Sequence, residues 1–142
     1  MEKKLETLPE IIRNAYDYKE QSPDALSPLT LAFIGDTIYD LIIRTKVISH
    51  GNAPVNKLHR TASAVVNATS QAALIRNITP HLTDEELAIF KRGRNAKSHT
   101  TAKNASSTDY KAATGLEALV GWLYLKGRMD RVLELILPEL EK

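Results

Sequence analysis

Residues 27–47, SPLTLAFIGDTIYDLIIRTKV, decide how the chain is read. Ser27 is a favoured N-cap and Pro28 a favoured first helical residue. Leu29, Phe33, Ile34, Ile38, Leu41 and Ile42 recur at helical spacing, so the stretch predicts one long buried helix. It should end near Ser49-His50-Gly51, where Gly51 can take a left-handed cap. Two residues do not suit a plain core helix. Gly35 costs about 1 kcal/mol against alanine in a helix interior, which implies close approach of another helix or a ligand. Asp36 stands amid Phe33, Ile34 and Ile38, where an ionised carboxylate needs a cation, a donor network or a metal to offset its burial. Asp40 is four residues on, hence on the same face.

A second stretch repeats the pattern. From near Asp109, the residues Ala112, Ala113, Leu116, Leu119, Val120 and Leu123 predict an inward-facing helix, with Gly127 as its C-cap. Glu117 interrupts that apolar run as Asp36 interrupts its own. Thr114 and Gly121 share the face of Glu117, and small neighbours around an acid leave room for a ligand. Two readings stand side by side. Each acid is structural, bonded to a nearby cation or helix end, or the two face each other and hold a hard divalent ion. Oxygen-only ligation suits Mg²⁺, with Mn²⁺ as a substitute.

The remainder of the chain is also helical in pattern, so the fold class is all-α. Residues 1–26 are a polar N-terminal extension, in part helical over Glu10–Lys19 and interrupted at Ser22-Pro23-Asp24. Residues 27–142 form one domain. A second long helical region is expected from Asn52 and Pro54 through Asn77, and Thr79-Pro80 breaks it. Thr83 with Glu86 three residues later is a capping box, and its helix should end near Gly93. A final short helix is expected from Arg128 to Leu137, closed by Pro138.

Residues 91–111, KRGRNAKSHTTAKNASSTDYK, hold six cations and one acid, a net +5 in a chain whose total is +2. They are rich in Ser, Thr and Asn and predict a long mobile loop. Such a loop suits contact with a phosphate backbone, and mere solvation explains it equally well. A metal beside it would imply phosphoryl chemistry.

Several function classes drop out. The chain has no cysteine, so disulfides and thiolate metal sites are excluded, in keeping with a cytoplasmic protein. Met1–Glu10 has no apolar signal core, and no apolar run is long enough to span a membrane. There is no phosphate-binding P-loop, no dinucleotide-binding glycine pattern, no zinc spacing among His50, His59, His81 and His99, and no nucleophile elbow.

Phe33-Ile34-Gly35-Asp36 resembles the signature helix of the ribonuclease III catalytic domain. Leu116 to Tyr124, LEALVGWLY, resembles the second acidic helix of that family. With Arg92-Gly-Arg-Asn-Ala-Lys-Ser98 between them, the order is similar to that of the Mini-ribonuclease III branch, which lacks a double-stranded-RNA-binding domain. The resemblance implies an all-helical ribonuclease III fold, a homodimer, and Mg²⁺-dependent hydrolysis of double-stranded RNA to 5′-phosphate and 3′-hydroxyl ends. For this branch it implies precursor 23S ribosomal RNA as substrate, with a large-subunit ribosomal protein as helper. It places Asp36 and Glu117 as catalytic residues and metal ligands. Ala32 and Thr114 stand where full-length enzymes carry further carboxylates, and Leu29 replaces another acid. Two carboxylates leave most of the metal's ligands to water and phosphate. Without a separate RNA-binding domain the catalytic domain must supply its own grip, for which Arg92, Arg94, Lys97, Ser98 and Lys103 are the candidates. Asp40 and Thr114 are auxiliary candidates. The competing reading is a catalytically silent relative that binds structured RNA as a ribosome-associated scaffold.

Overall fold

A computed structural model describes residues 6–17, 19–97 and 107–142. Seven α-helices form the described part: α1 (Leu8–Ala15), α2 (Pro28–Ile48), α3 (Val55–Ser63), α4 (Ala68–Ile78), α5 (Asp84–Asn95), α6 (Ser107–Leu125) and α7 (Met129–Leu140), with short 3-10 turns at Pro23–Ala25 and Thr79–His81. No strand occurs among the described residues.

Helix α6 is the centre. Almost every side chain from Ala112 to Tyr124 is buried, and α2, α4, α5 and α7 pack around it. Glycine sets how close the two acid-bearing helices come. A methyl group at Gly35 of α2 would collide with the backbone carbonyl of Glu117, and one at Gly121 of α6 would collide with the carbonyl of Leu31. The backbones are therefore in direct contact at two points. The space that Gly35 and Gly121 free is filled by the opposing helix and is not room for a ligand. A second glycine contact joins α5 to α6, where Gly93 meets Gly115 and Ala118 while the Phe90 ring lies on Gly115.

The helix ends follow local chemistry. The Ser27 hydroxyl accepts from the Thr30 amide at 3.2 Å, and Gly51 takes φ 101° after α2 ends. Thr83 and Glu86 form the expected capping box. Glu86 is buried and also receives Nε and Nη2 of Arg131 at 2.8 and 2.9 Å, which ties the start of α5 to α7.

Five expectations need correction. The region 52–77 is two helices, because the Asn67 side chain accepts from the Ser70 amide and starts a new one. Helix α5 runs past Gly93 to Asn95, since that glycine serves packing and not termination. The basic tract is not one loop, because both of its ends are helical. Lys91–Asn95 close α5 and Ser107–Lys111 open α6, so Arg92 and Arg94 stand on a helix. Helix α7 continues through Pro138, whose ring is exposed, so the carbonyl of Glu134 that it leaves without a donor can bond water. In the extension, the helix lies at Leu8–Ala15, earlier than Glu10–Lys19, because Thr7 caps it.

Candidate active site

Asp36 and Glu117 come together across the α2–α6 contact, with their carboxyls within hydrogen-bonding reach. Gly35 precedes Asp36, and its neighbour across the contact is the peptide of Glu117 itself. The backbone contact thus fixes the distance between the acids.

The sequence places both acids amid apolar neighbours, and the structure places the cost of burial on Glu117. Asp36 is exposed, because its side chain lies on the solvent side of α2. Glu117 is half-buried. Its carboxyl is pushed up to about 8, first by burial, then by the hydrogen bond to Asp36 and that neighbour's negative charge. Tyr39, one turn after Asp36, is fully buried, and its hydroxyl is pushed up to about 12 by burial and by the charge of Glu117. Sequence reading missed Tyr39, although its i+3 spacing from Asp36 places the two near each other on α2.

The raised carboxyl has a consequence for stability. Between about 4.5, where Glu117 would titrate unperturbed, and about 8, the folded protein holds a proton that the unfolded chain has released. The native state binds more protons across that window, so its stability falls as pH rises through it. Glu117→Gln removes the effect. In EDTA at pH 8 the variant should be more stable than the parent by about 1–2 kcal/mol, less than the full shift because Asp36 is open to solvent. The advantage should vanish below about pH 4.5. Thermal melts across this range measure it, and a constant difference would refute the assignment.

Two carboxyls that hold a proton between them offer hard oxygen donors to a divalent cation. Among the described residues no group of three or more His, Cys, Asp or Glu could hold a metal. The donor set fits a cation that keeps most of its water, as Mg²⁺ does. The auxiliary candidates are both engaged elsewhere. Asp40 Oδ2 is 3.0 Å from Nε of Arg44, and the Thr114 hydroxyl donates to the Tyr110 carbonyl at 3.0 Å.

The end of α5 that carries Arg92 and Arg94 reaches the same turn of α6. The Gly93 backbone lies against Thr114, Gly115 and Ala118, so the last turn of α5 reaches α6 beside Glu117. Arg92 and Lys97 are exposed. Arg94 is half-buried, with its guanidinium 5.6 Å from the centre of the Phe90 ring and its Nε donating to Asn95 Oδ1 at 3.2 Å. Phe90, one turn before Arg94, is a support that sequence reading did not identify. Ser98 and Lys103 lie outside the described residues. The apolar positions expected inside α2 also divide. Ile38 and Ile42 are buried, whereas Leu29, Phe33 and Leu41 are exposed, Phe33 by 80%. Trp122 is buried, and its Nε1 donates to Asp24 Oδ1 at 2.8 Å, while Lys126 Nζ reaches Asp24 Oδ2 at 3.1 Å. Among the described residues no helix is long and apolar enough to cross a membrane.

Comparison with known proteins gives concordant matches. A family model described as the Ribonuclease III domain matches residues 29–128. A protein named Mini-ribonuclease 3 from Enterococcus faecalis is 47% identical over 122 residues, covering 84% of this chain and 89% of that protein. Another of the same name, from a Thermoanaerobacter species, is 47% identical over 121 residues, covering 83% and 85%. A crystal structure of a Fusobacterium nucleatum protein superposes with a TM-score of 0.80 at 30% identity, covering 87% of this chain and all of the other.

Proposed function

Since the chain belongs to the Mini-ribonuclease III branch of the ribonuclease III family, and is a double-stranded-RNA endoribonuclease, we propose that Asp36 and Glu117 are its catalytic pair. The observation that carries this is their pairing across a glycine contact, with Glu117 holding a proton that a cation would displace. The chain's own contribution is a fixed pair of oxygen donors at the edge of an exposed helical face. Mg²⁺, or Mn²⁺ in its place, supplies an activated water and stabilises charge at the scissile phosphate when bound. Hydrolysis leaves a 5′-phosphate and a 3′-hydroxyl. Cleavage of a labelled duplex with Mg²⁺ and with EDTA, by the parent and by both acid variants, is the test. Binding without cleavage by the parent would favour the silent scaffold.

Residues 27–142 act as the catalytic domain, and Arg92, Arg94 and Lys97 as its grip on the RNA backbone, with Ser98 and Lys103 beyond them. The support is that the last turn of α5 meets α6 beside Glu117. Arg94→Ala should weaken duplex binding at all sequences and reduce the slope of log affinity against log salt by about 1. A salt titration of the two proteins measures this, and identical slopes would reject direct phosphate contact by Arg94.

The substrate we assign is precursor 23S ribosomal RNA, with a large-subunit ribosomal protein as helper, in the cytoplasm. Membership of the branch supports these assignments. The working unit is a homodimer, joined through the exposed Leu29 and Phe33 of α2. Large apolar side chains left in water beside a catalytic acid support that face as the contact.

A further inference from the structure

Helix α1 is built without a core. Its Thr7 cap accepts from the Glu10 amide at 3.4 Å, Arg13 pairs with Glu20 at 2.7 Å, and no residue of the helix is buried. Leu8, Ile11, Ile12 and Tyr16 are all exposed, Tyr16 by 68%. An isolated helix of eight residues does not hold its shape in water. Something must cover this face for α1 to persist.

Its position narrows the choice. The Thr7 side chain lies against Gly127, where an added methyl group would approach it to 2.8 Å, so α1 begins at the C-terminal end of α6. The Leu31 carbonyl meets Gly121, so the first turns of α2, with Leu29 and Phe33, cross the same end. Gly121 lies in the last turns of α6 and Gly127 two residues past its end, so both contacts are near that end. Two apolar surfaces thus lie at one end of the molecule.

Charge does not favour the other obvious occupants. Residues 1–20 carry five acids and four bases, a near balance. A segment of mixed sign offers no basic patch to an RNA backbone or an anionic lipid surface. Area points to the second copy. A stable interface covers roughly 800 Å² on each partner. One large aromatic side chain brings about 150–250 Å², so Leu29 and Phe33 supply about half of that requirement at most. Leu8, Ile11 and Ile12 of α1, with Tyr16 at its C-cap, would supply most of the remainder.

We propose that the apolar face of α1 packs on a second copy of this chain and enlarges the homodimer contact made by Leu29 and Phe33. This rests on the homodimer assigned above. A two-fold axis would bury both copies of α1 at once, so each loss is counted twice.

Sedimentation equilibrium of the full chain tests it with three proteins: the parent, the double variant Ile11→Ser with Ile12→Ser, and Phe33→Asp. The parent should be a dimer and Phe33→Asp a monomer. The double variant should dissociate with a Kd about tenfold or more above the parent, with unchanged helical circular dichroism outside the few residues of α1. A double variant within about twofold of the parent overturns the inference and leaves the dimer intact. A parent that stays monomeric at micromolar concentration overturns the homodimer and the inference together. A dimer that survives Phe33→Asp but fails in the double variant refutes the shared surface.

Discussion

Asp36→Asn and Glu117→Gln should each lower single-turnover cleavage of a duplex by about a thousandfold while leaving the duplex bound. The acids pair their carboxyl oxygens across the α2–α6 contact, where a cation can take both. A cation at a scissile phosphate contributes several kcal/mol of transition-state stabilisation. At about 1.4 kcal/mol per factor of ten, losing about 4 kcal/mol gives the thousandfold drop. Binding should persist, because the RNA contacts assigned to Arg92, Arg94 and Lys97 are separate side chains. The Glu117→Gln variant has an internal control. It should be inactive and yet melt higher than the parent at pH 8 in EDTA, so its lost activity cannot come from unfolding. A variant that cleaves at more than a tenth of the parental rate would remove that acid from the catalytic pair.

Gly35→Ala should be the most damaging single methyl group in the molecule. A Cβ there meets the Glu117 carbonyl and the amide of Gly121, both backbone atoms of a buried helix. Neither can rotate away as a side-chain tip would. Overpacking costs about 1–3 kcal/mol when side chains can adjust. Here the helices must part, so a net loss of about 3 kcal/mol is expected even after alanine's gain of about 1 kcal/mol in helix propensity. For a chain of this size that is a fall in Tm of about 6–12 °C. Cleavage should fall as well, since separating α2 from α6 also separates Asp36 from Glu117. A thermal melt with a parallel cleavage assay checks both, and a variant as stable as the parent would mean that the helices do not touch at Gly35.

Local signals in the sequence survive folding. Ser27, Thr83 and the left-handed glycines at 51 and 127 end or begin helices where their chemistry says they should. Both acids were also legible, because a carboxylate in an apolar run beside a glycine is rare without a reason. What failed was the distinction between apolar residues that face a core and those that face water. Leu29 and Phe33 have the spacing of buried residues, and periodicity alone does not say which sides of a helix have neighbours. The same limit misassigned the burial penalty. Asp36 and Glu117 look alike in sequence, yet α6 is surrounded and α2 has one open side, so only Glu117 is desolvated. Asn67 and Gly93 show a further limit. Asn67 begins a helix inside an alanine-rich run, and Gly93 lies inside one, because what each residue touches decides its role.

Trp122 is the one tryptophan in the chain, and it sits at the joint between the N-terminal segment and the body of the protein. Its indole N–H is held by Asp24, and the Lys126 ammonium lies 5.0 Å from the ring centre. Indole emission responds to both a bound carboxylate and a nearby cation, so the molecule carries a built-in optical label at that joint. A change in colour or intensity would report whether the segment before α2 is seated or released, in real time and without any added dye, while RNA or a second subunit is titrated in.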